Sequence, residues 1–108
     1  MNWTVETLNQ DVDRELEALP KSLKARFIRI AELVEQLGLE RVGLPHIKHL
    51  EGKLWEMRMN GPEGIARAIY VAVRGKRVVI VHAFTKKTQK TPRKALEIAR
   101  RRAAEISS

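Results

Sequence analysis

Between Leu54 and Phe84 the chain has room for three strands and little else. Leu54–Met59, Ile65–Val73 and Val78–Phe84 are rich in apolar and β-branched residues, and only Asn60-Gly61-Pro62 and Arg74-Gly75-Lys76 break them. Breaks of turn length let a chain reverse, whereas a parallel crossover needs roughly a dozen residues, so these runs pair as an antiparallel meander. Val78–Phe84 is apolar at nearly every position, the pattern of a strand covered on both faces inside a sheet.

The flanks change period. Trp3–Leu8 is a short β-prone run, and Val12, Leu16 and Leu19 are spaced for one face of a helix over Asp11–Leu19. Pro20 interrupts. From Ser22, Leu23, Phe27, Ile30, Val34 and Leu37 recur at steps of three and four, and Gly38 stops the helix. Residues 39–53, with Gly43, Pro45, Gly52 and no period, predict a loop. Thr91-Pro92 predicts a helix start, Thr91 as N-cap and Pro92 as first helical residue, with Leu96, Ala99, Ala103 and Ile106 as its apolar stripe. The order is β-α-α-β-β-β-α, without repeats or a linker. A single α+β domain over residues 1–108 is expected.

With 108 residues, 44% of them hydrophobic, one two-layer core is within reach. The chain has no cysteine, so disulfides, thiolate metal ligands and a cysteine nucleophile are all excluded. That composition agrees with a reducing cytoplasm, the expected location. No apolar run approaches the ~18 residues of a membrane span, and the first eleven residues lack the basic-then-apolar pattern of a secretory signal.

Charge narrows the function. Lys and Arg total 21 against 13 Asp and Glu, a formal net charge of +8. Such an excess favours a polyanionic partner, because each phosphate contact releases condensed counterions. After Glu63 only Glu97 and Glu105 are acidic, against twelve Lys or Arg from Arg67 onward, so the C-terminal part is the expected polyanion face.

Three segments then acquire meaning together: Lys48-His49-Leu50 leading into Leu54-Trp55-Glu56-Met57-Arg58, Arg67 in the following strand, and Val81-His82-Ala83-Phe84-Thr85-Lys86-Lys87-Thr88-Gln89-Lys90-Thr91-Pro92 entering the last helix. In this order they resemble the RelE/HigB toxin superfamily, particularly its phage-derived HigB-like branch. The resemblance covers roughly residues 45–105, and residues 1–44 agree in pattern alone. It implies a small antiparallel sheet with helices packed on one face. It further implies an endoribonuclease that needs no cofactor and no metal, with mRNA at the ribosome as substrate and a helix-turn-helix antitoxin from the same operon as partner.

Metal-free RNA cleavage requires attack by the 2′-hydroxyl, stabilisation of an anionic phosphorane, and a proton for the departing 5′-oxygen. Fixed lysines and arginines suit the second task. By the resemblance, Arg67 corresponds to the strand arginine that holds the scissile phosphate; a substrate-facing arginine is expected to be replaceable without unfolding the domain. Lys86, Lys87 and Lys90 follow an apolar strand that can anchor them around a phosphate, with Thr88 and Gln89 as neutral hydrogen-bonding partners and Lys48 as a further RNA contact. Glu56 and Arg58 alternate with Trp55 and Met57 and so share a sheet face. Two roles are open to Glu56: general base, or one half of a pair that orients Arg58. His82, within an apolar strand, is read as a satisfied core residue before a catalytic one, and His46 and His49 as solvent-exposed before RNA contacts beside Lys48.

The chain departs from its relatives at Glu56, where better-studied members carry lysine, and at Ala66, where an aromatic is common. The tyrosine that some relatives place near the C-terminus is missing; the one tyrosine is Tyr70. The general base is therefore open. Two other functions compete: a ParE-type toxin that inhibits DNA gyrase by protein binding, and a non-catalytic RNA-binding module. The Arg58, Arg67 and lysine cluster argues against the first, and 5% aromatic residues leave few stacking platforms for the second.

Overall fold

The computed structural model describes residues 2–88 and 90–106. Its elements are β1 (Thr4–Thr7), α1 (Gln10–Glu17), α2 (Lys21–Leu37), a 3₁₀ turn (Leu39–Arg41), β2 (Ile47–Glu51), β3 (Leu54–Gly61), β4 (Gly64–Val73), β5 (Arg77–Lys86) and α3 (Arg93–Ala103). The sheet runs β1-β5-β4-β3-β2. The meander is present as expected, with β3–β4 and β4–β5 antiparallel.

Local chemistry places these boundaries. Asn9 accepts the Val12 N–H at 3.1 Å through its side chain and so caps α1. Gly38, at φ +91°, ends α2 in a conformation that L side chains rarely adopt. Gly75 at φ +83° and Lys76 at φ +57° make the tight reversal into β5.

One sheet face carries Met57, Met59, Ala66, Ala68, Tyr70, Val78 and Ile80, which pack against Val12 of α1 and Leu23, Ile30 and Val34 of α2. On the opposite face Leu54, Ile69, Val71, Val79 and Val81 pack against Ala95 and Ala99 of α3. Alanine at those two positions lets the helix lie close to a β-branched surface.

The structure keeps the α+β class and every expected element, and it amends four expectations. Residues 39–53 are not all loop: Ile47–Glu51 is an edge strand, antiparallel to β3. Five residues between Pro45 and Gly52, with Lys48 and His49 facing solvent, leave too little apolar alternation to read as a strand. The sheet is mixed rather than antiparallel, because β1 pairs in parallel with β5. Two helices separate β1 from β2 and carry the chain from one sheet edge to the other, so β1 is free to lie beside the last strand. Nor do the helices share one face, since α3 covers the side that α1 and α2 leave bare. Finally, Pro92 rather than Thr91 occupies the cap position of α3, with no side-chain cap bond.

Candidate active site on the partly covered sheet face

The face under α3 is apolar at one end only. Towards the other end, register brings charged residues together: Lys48 lies opposite Glu56, Glu56 opposite Ile69, Arg58 opposite Arg67, and Arg67 opposite Phe84. Lys86, two residues beyond Phe84, shares this face. The site is thus built from four adjacent strands, a rigid platform for side chains that must meet a fixed geometry.

Two of these charged groups are buried. Arg67 is 0% and Glu56 2% exposed, whereas Arg58 and Lys86 are half-buried and Lys48 is exposed. Glu56 Oε2 lies 3.5 Å from Arg67 Nε and 3.8 Å from Arg58 Nε. Its other oxygen accepts the Thr91 hydroxyl at 2.8 Å. Arg67 Nη1 donates to Asn60 Oδ1 at 3.1 Å and to the Ala66 carbonyl at 2.8 Å. A buried charge is tolerable only when paired and hydrogen-bonded, and this arrangement does both. The pairing role for Glu56 is the one this geometry favours.

Arg67 does not face solvent in this conformation, which corrects the expectation of an arginine presented to substrate. Between Arg58 and Phe84 in the sheet, its guanidinium is held by Asn60, the Ala66 carbonyl and Glu56. Burial is the main influence lowering its pKa, Glu56 opposing and Arg58 reinforcing it; an arginine starting this high stays protonated regardless.

Lys86 is the most perturbed basic group. Burial, and then the repulsion of Arg67, Arg58 and Lys48, pushes its ammonium down to about 8 against the opposing pull of Glu56. A pKa near the working pH is what a proton-transfer group needs.

The rest of the lysine string disperses. Lys87 is exposed and lines a shallow depression with Glu63, Gly64, Ile65 and Lys86. Thr88 and Lys90, also exposed, border another with Arg93, Leu96 and Arg100 at the start of α3. Gln89 lies outside the described residues.

His82 is a core residue as read. Its Nδ1 is hydrogen-bonded to Glu15 Oε1 at 3.0 Å, and its ring stacks on Phe84 at 4.9 Å between centroids. Glu15 also accepts the Ala83 N–H at 3.0 Å and the Arg102 guanidinium at 2.8 Å, while Arg102 donates to the Val81 carbonyl at 2.9 Å. β1 pairs only with Arg77–Ile80, so Glu15 satisfies the strand edge that β1 leaves open. His49 is not simply exposed to solvent: its Nε2 is 2.8 Å from the Gly52 carbonyl and its ring meets Trp55 edge-on. Tyr70 points into the α1/α2 core, and burial raises its hydroxyl pKa, so it is remote from any role as base on the charged face.

Sequence reasoning missed Thr91 and Asn60, which hold Glu56 and Arg67. Both occupy positions with an obvious local role, a helix start and a turn, and that role masked the second one. Among the described residues no group of three or more His, Asp or Glu is placed to hold a metal ion, and no helix is long and apolar enough to cross a membrane.

Comparison with known proteins follows the same outline. The family described as phage-derived protein Gp49-like matches residues 14–104. The RelE chain of the archaeal RelE–RelB complex from Pyrococcus horikoshii OT3 superposes with a TM-score of 0.56 at 25% identity, covering 79% of this chain and 96% of that one. A double mutant of E. coli toxin RelE in the free state gives a TM-score of 0.58 over 99% of this chain and 100% of that one; at 13% identity this likeness concerns the fold alone. No curated protein is significantly similar in sequence.

Proposed function

The chain belongs to the phage-derived Gp49-like family, a RelE/HigB-type toxin family, and from that premise we propose that it is a metal-independent endoribonuclease cleaving mRNA on the ribosome. The observation that carries this reading is the convergence of Lys48, Arg58, Arg67 and Lys86 around the buried Glu56 on one sheet face, with the Lys86 amine pushed down to about 8.

In this mechanism Arg58 and Lys86, the accessible members, contact the scissile phosphate and stabilise the extra charge of the phosphorane. Arg67 acts from beneath as a positioning residue, fixing Glu56, which in turn aligns Arg58. The 2′-oxygen forms its bond to phosphorus and releases its proton to water. As the bond from phosphorus to the 5′-oxygen breaks, Lys86 gives that oxygen a proton, leaving a 2′,3′-cyclic phosphate and a 5′-hydroxyl. Lys48, Lys87, Thr88, Gln89 and Lys90 contribute to holding the strand.

The archaeal RelE similar to this chain was solved in complex with RelB, which supports a cognate antitoxin here as well, taken to be a helix-turn-helix protein of the same operon. Incubation of the purified protein with programmed ribosomes, followed by mapping of 5′-hydroxyl ends, tests the activity. Intact mRNA after incubation with folded protein contradicts it.

A further inference from the structure

A second basic feature lies at the edge of the sheet beyond β2. Arg26, Arg29 and Ile30 of α2 face Pro45, His46, Arg58 and Asn60 across a groove of about 190 Å³, the space of about six waters at ~30 Å³ each. Arg58 and Asn60 also belong to the charged cluster: Arg58 stands beside Glu56, and Asn60 accepts from Arg67. The groove therefore continues the site around the edge of β3 instead of forming a separate one.

Part of the basic excess is already neutralised by carboxylates, and part is not. Arg14, Lys24, Arg77, Arg100 and Arg102 each sit within 3.0 Å of a carboxylate oxygen. Among the described residues, neither Arg26 nor Arg29 has such a partner. Arg26 nonetheless has a defined place against the β3–β4 turn: a Cβ added to Gly61 would come within 3.0 Å of its Nε. A glycine there leaves room for the guanidinium beside the backbone.

We propose that this groove is a phosphodiester subsite, in which Arg26 and Arg29, with His46, take a phosphate of the same RNA strand neighbouring the one held over Lys86. The inference rests on the endoribonuclease reading above. A guanidinium pair suits a phosphate because it presents planar two-pronged donors. An acidic protein segment would find the same charges, but the continuity through Arg58 and Asn60 favours the strand already lying on the cluster.

The test uses binding, so that it stands apart from cleavage. A fluorescein-labelled, fully 2′-O-methylated oligonucleotide, which lacks the attacking hydroxyl, is titrated against the full chain by anisotropy at several salt concentrations. Arg26→Ala/Arg29→Ala is expected to weaken binding about tenfold at low salt. It should also reduce the log–log salt slope by ~0.7, the contribution of one phosphate on a single strand. Arg26→Lys/Arg29→Lys should keep the slope, and unfolding midpoints near wild type would exclude misfolding. Oligonucleotides shortened one nucleotide at a time from each end should lose the difference between wild type and the alanine variant once the neighbouring phosphate is gone. An unchanged slope in the alanine variant overturns the proposal. So does unchanged oligonucleotide binding combined with loss of the co-expressed antitoxin, which would make the groove a protein site.

Discussion

The Thr91 hydroxyl donates to Glu56 Oε1 at 2.8 Å, tying the turn before α3 to the middle of β3. This bond fixes one oxygen of a buried carboxylate whose other oxygen faces two guanidiniums. It also ties Thr91, at the entry to α3, to the sheet that carries Lys86.

Thr91→Val keeps the shape and removes the donor. Leaving a buried carboxylate oxygen short of a partner costs ~1–3 kcal/mol, so the denaturant midpoint should fall with an unchanged slope. Thr91→Ser should restore most of it. A Thr91→Val midpoint equal to wild type would show that the bond contributes nothing.

Arg67 carries a stability prediction opposite to that of a substrate-facing residue. Arg67→Ala removes the guanidinium nearest a buried Glu56, and breaking a buried pair on one side costs ~3–5 kcal/mol. Glu56→Gln/Arg67→Met, which removes both charges, should recover much of this loss. Equilibrium unfolding of the two variants checks it; a double variant no more stable than Arg67→Ala would deny the coupling.

Acid should loosen the junction of α1, β5 and α3. Burial raises the Glu15 pKa, but the Ala83 N–H, His82 and Arg102 together outweigh it and hold the carboxyl below its ordinary value of 4.5. A depressed carboxylate contributes stability that is present above its unfolded pKa and lost as pH falls through the folded one. Wild type should therefore lose stability below pH about 4.5, and Glu15→Gln should be weaker at neutral pH with a shallower acid decline. Parallel pH–stability curves for the two would contradict this.

The toxin reading predicts growth arrest when the chain is expressed alone and recovery when the neighbouring antitoxin is co-expressed. Colony counts after induction measure it, with soluble protein verified. Normal growth at high soluble levels is the adverse outcome.

Much of the scaffold was legible because it rests on local rules. Turn-length breaks fixed the meander, and the spacing of Leu23, Ile30 and Val34 identified the longest helix and its buried face. Parity alone put Glu56 and Arg58 on one face, away from the Met57 core. What sequence could not convey is non-local. The parallel pairing of β1 with β5 joins residues some seventy positions apart, Thr4 opposite Arg77, and no pattern within either run encodes it. The burial of Arg67 depends on what roofs it, and Arg26 with Arg29 read as ordinary solvated positions of an amphipathic helix until β3 is placed beside them. Lys86 stood out from Lys87 and Lys90 only once its neighbours were known.

In the proposed mechanism Lys86 supplies the proton to the departing 5′-oxygen in RNA cleavage. With its pKa near 8, about nine in ten molecules carry the proton at neutral pH, and the fraction falls as pH rises through 8. The most direct measurement is the single-turnover cleavage rate on programmed ribosomes as a function of pH, for wild type and Lys86→Gln, with 5′ ends mapped. Wild type should leave 5′-hydroxyl ends and slow above pH about 8, in excess of any decline of the ribosomes themselves. Lys86→Gln should be about a hundredfold slower, as for loss of a general acid, without that decline. Its unfolding midpoint at neutral pH should not fall, because an ammonium with a depressed pKa is charged at a cost to the fold. A Lys86→Gln variant that cleaves at the wild-type rate with the wild-type pH profile would contradict the assignment.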